Sequence, residues 1–321
     1  MKLLLTTVRG LEEVASLEAR RGGLRLVSVV EPSLLIAEGD AETALRLRTI
    51  DSVSEVLCSA RAELHTPKSL RSVLRECFRE AREKGLASEL RMKAWVRVRG
   101  VSRRMLELIA AREAERVLKV EASPRARSIV RIYLCADGVL LVARQINAEP
   151  LHLRHYYIFK HPHALNPLLA AAIPILAPAE SMYDPCCGSG TIPIEYSLAI
   201  RDAEVLCSDV STEYIRGVRV NASKAGVCVD AFIANLFRCP LRGDIELLAA
   251  DPPRGGGIAN AYRYLRAVLR LAAARASKAV IVTPYKQAAL LAAERAKLKL
   301  VRDVATFQGG RRVHLLLLEV S

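Results

Sequence analysis

An apolar strand that delivers Asp184 into Pro185-Cys186-Cys187-Gly188-Ser189-Gly190-Thr191, immediately before a helical stretch, constrains this chain more than any other feature. Glycines in such a loop let backbone approach a ligand, and the helix start that follows presents free N–H groups. The next strand pattern ends in Cys207-Ser208-Asp209, about twenty residues on, where a carboxylate can accept both hydroxyls of a ribose. Around this unit the pattern alternates. Helices are predicted over 165–176, 192–200, 211–225, 260–276 and 286–296, with strands AEVLCSDV, VDAFIANL, IELLAADPP and KAVIVTPY between them. Strict alternation implies a parallel, doubly wound α/β sheet. The last two strands, LVRDVATF and VHLLLLEV, flank Gly309-Gly310 and predict an antiparallel hairpin on its edge. A nucleoside-containing cofactor is the ligand this order of strand, loop, helix, strand and terminal acid implies.

The chain has 321 residues, enough for two or more domains, and 51% of them are hydrophobic, which excludes disorder and fibrous repeats. Its 48 Lys and Arg against 34 Asp and Glu give a net charge of +14, which favours a polyanionic partner over an acidic metabolite. The excess is local: residues 1–60 carry 7 basic and 9 acidic side chains, residues 61–131 carry 19 and 9, and residues 132–321 carry 22 and 16. The richest apolar stretch, 164–179, is broken by Pro167, Pro174 and Pro178, so no membrane helix is expected. MKLLLTT starts like a signal peptide, but Arg9, Glu12 and Glu13 interrupt it, and a cytoplasmic protein is expected. Eight scattered cysteines with no C-x-x-C spacing read mostly as buried thiols; the scarcity of Gln and Asn would suit a thermophile, in which an intracellular disulfide is tolerated.

Upstream, residues 1–60 read strand, helix, strand, strand, helix, the last helix being DAETALRLRTIDSV. A second α+β unit covers 61–150. There Thr66 caps a helix from Pro67 to Lys84, ended by Gly85, and Lys68, Arg71, Arg75, Arg79 and Arg82 share one side of it. KAWVRVRG reads as a strand, 102–119 as a helix, and SIVRIYLC and VLLVARQI as a strand pair around Asp137-Gly138. Residues 151–163, rich in aromatics, His and Pro, read as a linker into a domain over 164–321.

DPCCGSGTIPIE, followed by Asp251-Pro252-Pro253-Arg254 at the end of the fourth strand, resembles the class I S-adenosylmethionine methyltransferases that modify exocyclic amines of nucleic-acid bases. TTVRGLEEVA, EPLHLRHYY and HPHALNP are similar to the THUMP-domain RNA methyltransferases, in particular those that make N2-methylguanosine in tRNA. The resemblance implies a Rossmann-like class I methyltransferase domain preceded by ferredoxin-like (1–60) and THUMP (61–150) domains, S-adenosylmethionine as cofactor, and RNA, with tRNA foremost, as partner. It assigns Asp184, Gly188, Ser189, Gly190 and Thr191 to the methionine end of the cofactor, Asp209 to the ribose and Asn235 to the adenine. Asp251, with the carbonyl that follows it, would accept hydrogens from the target amine, aiming its lone pair at the methyl and offsetting charge that develops on nitrogen. Pro252, Pro253 and Arg254 complete the tetrad.

Arg254 departs from that family, which has an aromatic at this position to stack on the flipped base. It can stack through its guanidinium plane or hold a phosphate, with Tyr285 as the second face of a base pocket. A D-P-P-R tetrad also resembles enzymes that methylate C5 of uridine, but those need a Cys thiolate at the end of the next strand, which here reads Val282-Thr283-Pro284-Tyr285. Arg71, Arg75 and Arg79 are expected to contact RNA phosphates. His161 and His163 lack further ligands at useful spacing, so no metal is expected; they and the pair Tyr156 and Tyr157 read as packing, domain-pinning or RNA contacts. The alternatives are an RNA-binding protein with a weak or silent methyltransferase fold, or another RNA or base position as target.

Overall fold

The structure is a computed structural model that describes residues 1–61 and 66–320. Two compact units emerge: Met1–Thr6 with Ala19–Leu151, and Thr7–Glu18 with the chain from His152 onward.

The first part of the chain contains β1 (Lys2–Thr7), α1 (Glu12–Arg21), β2 (Arg25–Glu31), β3 (Leu34–Glu38), α2 (Ala41–Arg46), β4 (Ile50–Arg61), α3 (Pro67–Arg82), β5 (Glu89–Val96), α4 (Arg103–Leu118), β6 (Glu121–Ala122), β7 (Ile129–Leu134) and β8 (Val139–Gln145). The strands form one eight-stranded sheet in the order β2-β3-β1-β4-β8-β7-β5-β6. The division expected after residue 60 falls at the end of β4, which pairs antiparallel with β8, so the sheet runs across it. Leu70, Leu74 and Phe78 of α3 and Leu106 and Ile109 of α4 pack with Val130, Ile132 and Leu140 of the sheet. Thr66 caps α3 through Ser69 N, as its sequence predicts, and Pro67 opens the first turn.

Two expectations change here, and a third is refined. The helix read over 40–53 stops at Arg46, and residues 50–61 are strand β4; the apolar spacing of that segment suits either period, and sheet pairing decides it. The strand at KAWVRVRG lies earlier, over Glu89–Val96, parallel to β7. Two cysteines are not thiols: Cys58 on β4 and Cys77 on α3 form a disulfide, which ties α3 to the sheet.

The second part contains α5 (Pro167–Leu176), β9 (Ser181–Asp184), α6 (Thr191–Ala199), β10 (Glu204–Asp209), α7 (Thr212–Ala225), β11 (Asp230–Ile233), a single 3-10 turn (Leu236–Arg238), β12 (Ile245–Ala250), α8 (Gly257–Arg275), β13 (Ala276–Thr283), α9 (Lys286–Arg295), β14 (Leu298–Gln308) and β15 (Arg311–Val320). Its seven-stranded sheet runs β11-β10-β9-β12-β13-β15-β14. β9 to β13 are parallel, and β15 enters antiparallel between β13 and β14, closing the predicted hairpin. Helix α5 begins two residues later than expected, because Asn166 is its cap and accepts from Leu168 N. Strand order reverses between β9 and β12, and such a switch point opens a crevice at the carboxyl edge of the sheet. Among the described residues, no helix is long and apolar enough to cross a membrane.

Candidate active site

Register places the acids. Asp184 of β9 pairs with Cys207 of β10, so Asp209 lies two residues, about 7 Å, further along the carboxyl edge. Tyr183 of β9 pairs with Leu248 of β12, which puts Asp251 two residues beyond the level of Asp184 on the other side. The three carboxylates converge on the turn between β9 and α6. Burial raises the Asp184 carboxyl well above the usual carboxylate range, and the charges of Asp209 and Asp251 push it further up.

The glycine loop is held from both ends. Asp184 Oδ1 accepts from Cys186 N at 3.0 Å, Cys187 N donates to Ser208 O at 3.0 Å, and Gly188 N donates to Asp209 Oδ2 at 3.0 Å. Gly190 caps α6 in the left-handed region at φ +83°, where a Cβ would also meet Val218 Cγ1 at 3.0 Å, so both backbone and space require glycine. Ser189 is buried, and its Oγ has no hydrogen-bond partner among the described residues. A buried, unpaired hydroxyl beside a free helix N-terminus fits a polar ligand lying against the loop. Asp209 uses both oxygens on backbone, Oδ2 as above and Oδ1 from Ser211 N at 3.0 Å, while retaining lone pairs for a ligand.

Sequence reasoning missed what lies over this loop. Of residues 151–163, expected to be a linker, those from His152 onward belong to the second unit and form a strap on its helices. Tyr156 is fully buried, and its hydroxyl donates to Glu195 Oε1 of α6 at 2.8 Å, which also takes Arg154 Nε at 2.9 Å. That ion pair is 7% and 0% exposed, so removing either partner would strand a buried charge. Tyr157 shares a 2.7 Å hydrogen bond with Thr191 Oγ1 at the start of α6. Asn221, wholly buried on α7, accepts from Ile158 N and Phe159 N and donates to Phe159 O and Ser189 O. One amide thus joins strap, helix and glycine loop. Phe159 lies on Gly217, whose Cβ would come within 2.2 Å of the ring. His161 ends the strap above Gly188 and packs edge-on to Tyr214 with centroids 4.5 Å apart. Its Nδ1 accepts from His163 N, so the proton of the neutral ring is on Nε2. Burial and His163 hold its pKa below the usual histidine value, with Asp209 opposing them. Tyr156, Tyr157 and His161 of the strap therefore pack within this unit. Among the described residues, no three His, Cys, Asp or Glu side chains gather as a cation site.

The other sequence candidates divide. Arg254 turns onto Asp251, with Nε 3.2 Å from Oδ1 and Nη2 closer. It therefore meets the catalytic candidate's carboxylate, a contact the sequence reading did not foresee. Burial raises the Asp251 pKa and Arg254 counters it. Asn235 sits next to Ala234, whose N–H bonds Asp209 O, and its Oδ1 is engaged as the cap of the 3-10 turn, accepting from Phe237 N at 2.9 Å. Tyr285 is the residue before α9 and packs, half-buried, on the core under α8 and α9, which restricts it as a wall for a base. Pro252 is buried and Pro253 exposed. On α3, Arg71 is exposed, Arg75 pairs with the buried Glu113 at 3.0 Å, and Arg79 pairs with Glu76 at 2.6 Å. The stripe expected to be free charge is partly committed to the helices themselves. The buried Glu113 was the hidden element: nothing in the sequence marks an acid on α4 as turned inward.

The sheet order and the acid-ringed loop at the switch point define the second unit as a domain of the methyltransferase fold. Residues 154–313 match the family described as RMKL-like, methyltransferase domain, a match that begins inside the strap and includes both the loop and the tetrad. The chain is 24% identical over 216 residues to tRNA (guanine(6)-N2)-methyltransferase of Archaeoglobus fulgidus, covering 57% of this chain and 55% of that protein. It is 36% identical over 77 residues to the protein of the same name in Methanocaldococcus jannaschii, covering 23% and 20%. The chain thus spans about half the length of the first of these relatives. The crystal structure of TrmN from Thermus thermophilus superposes with a TM-score of 0.83 at 20% identity, covering 100% of this chain and 99% of that one, and shows the same fold.

Proposed function

We propose that this chain is an S-adenosylmethionine-dependent RNA methyltransferase acting on a base amino group, with guanine N2 in tRNA as the target. The carrying observation is the convergence of Asp184, Asp209 and Asp251 on a glycine loop whose Ser189 hydroxyl has no partner among the described residues. An acidic, helix-capped loop suits a ligand with cationic centres at one end and a ribose at the other. Ser189 and the loop amides would hold the methionine end, Asp209 the ribose hydroxyls, and the start of the 3-10 turn at Asn235 the adenine. When bound, S-adenosylmethionine supplies a methyl group on a positively charged sulfur. The residues of the chain supply the rest. The Asp251 carboxylate and the Pro252 carbonyl accept the amine hydrogens and fix the direction of the nitrogen lone pair. Asp251, made more basic by burial, would stabilise positive charge developing on the amine nitrogen as the methyl group passes to it from sulfur, and would receive the proton that nitrogen then loses.

RNA as substrate draws on the net charge of +14, on the basic segment 61–131, read as a THUMP module, and on the names of the archaeal relatives. Incubating tRNA with the protein and methyl-labelled cofactor, then resolving nucleosides by mass spectrometry, tests the reading. Label in N2-methylguanosine is expected; label in a carbon-methylated uridine would overturn it. A second reading, an RNA-binding protein with a silent catalytic fold, is favoured by the engagement of Asp251 with Arg254. Binding of tRNA and cofactor without any transfer would select it.

A further inference from the structure

In the second unit, the outer face of α8 and the turn after β11 form a groove of about 390 Å³ lined by Phe237, Tyr262, Arg263, Arg266, Ala267 and Arg270. Its chemistry is uneven for a protein surface. Helix α8 has 19 residues and no acidic one. Arg263, Arg266 and Arg270 recur at spacings of three and four, so all three lie on one face, over about 10 Å of helix. All three are exposed, and among the described residues none has an acidic partner, in contrast to Arg75 and Arg79 of α3. Phe237, 42% exposed, has the Arg263 guanidinium over its ring at 4.6 Å and Tyr264 at 5.4 Å. An exposed ring held under an arginine plane next to unpaired cations is costly to leave facing water and offers nothing to an apolar protein face. It matches a strand whose phosphates meet the arginines while a base stacks on the ring.

Placement adds a second reason. Phe237 is two residues beyond Asn235, and α8 starts six residues after Asp251, so both walls of the groove originate at the carboxyl edge that carries the proposed chemistry. We infer that this groove is a binding site for single-stranded RNA, holding nucleotides that flank the target base once that base has been drawn from its helix. The inference rests on the RNA reading above. It assigns to the catalytic unit its own grip on substrate, independent of the basic helix in the first unit.

The test uses the full chain with Arg263, Arg266 and Arg270 all changed to Gln, and separately Phe237→Ala, against unmodified tRNA and a uridine dodecamer. Binding is followed by fluorescence anisotropy from about 50 to 200 mM salt, with cofactor affinity measured by calorimetry on each protein. The triple variant is expected to lose about 2 from the log–log salt slope on the dodecamer, since each single-strand phosphate contact contributes about 0.7. Phe237→Ala is expected to weaken the dodecamer about fivefold or more, with little change in slope. Cofactor affinity should match wild type in both, which separates a lost RNA site from a damaged fold. Wild-type salt slope and dodecamer affinity in both variants, while wild type methylates tRNA, would overturn the groove alone. A wild-type protein that binds neither RNA would overturn the groove and the function together.

Discussion

Changing Arg254 to Gln isolates the most distinctive contact of the site. The guanidinium lies 3.2 Å by Nε from Asp251 Oδ1, and the two side chains are 29% and 14% exposed, so solvent screens the pair only in part. At an effective dielectric constant of about 20, the bare attraction is about 5 kcal/mol, from which the desolvation of both groups must be subtracted. An adjacent cation typically lowers a carboxylate by about 1–3 pKa units, equivalent to about 1.4–4 kcal/mol. Burial already holds Asp251 above its ordinary value with Arg254 opposing it, so removing the arginine can only raise it further. The ionised, hydrogen-accepting carboxylate is lost as pH falls through that value. The acidic limb of the single-turnover methylation rate should therefore move up by about 1–3 pH units in Arg254→Gln. Stability follows the same sign: a raised carboxylate favours the folded state at low pH and disfavours it as pH rises, so the drop in Tm should be largest above the limb and fade below it. The assay is rapid-quench transfer from labelled cofactor to tRNA across pH, with melting curves in the same buffers. An acidic limb at the wild-type position, or a Tm loss independent of pH, would refute the coupling.

Two further substitutions probe the scaffold. Gly217→Ala places a methyl group 2.2 Å from the Phe159 ring and should displace the strap, lowering stability by about 1–3 kcal/mol and weakening cofactor binding; an unchanged Tm by calorimetry would show that the ring yields freely. Asp209→Ala removes the acceptor of Gly188 N and Ser211 N as well as the proposed ribose contact, so cofactor affinity should fall by about 1.5–3 kcal/mol while RNA affinity stays near wild type; equal cofactor affinity would remove Asp209 from the site.

Period and punctuation alone determined the second sheet. Strands of four to eight residues alternate with helices, Asp209 and Asp251 fall at or just past strand ends, and Gly188 and Gly190 fall in the turn that follows β9, where a parallel sheet must gather them. Local chemistry likewise fixed the Thr66 cap and the Gly309-Gly310 hairpin. Tertiary structure decided the rest, because the deciding contacts join residues far apart in sequence. Whether 50–61 is helix or strand depended on pairing with β8, about 90 residues away. Whether Arg75 faces solvent or an acid depended on Glu113 across the helix pair. The strap reads as a linker because its partners, Glu195, Thr191, Asn221 and Gly217, lie 34 to 63 residues downstream or are visible only as empty space on α7. Arg254 was identifiable by its position, but the partner it takes, Asp251, depends on a side-chain direction that no periodicity encodes.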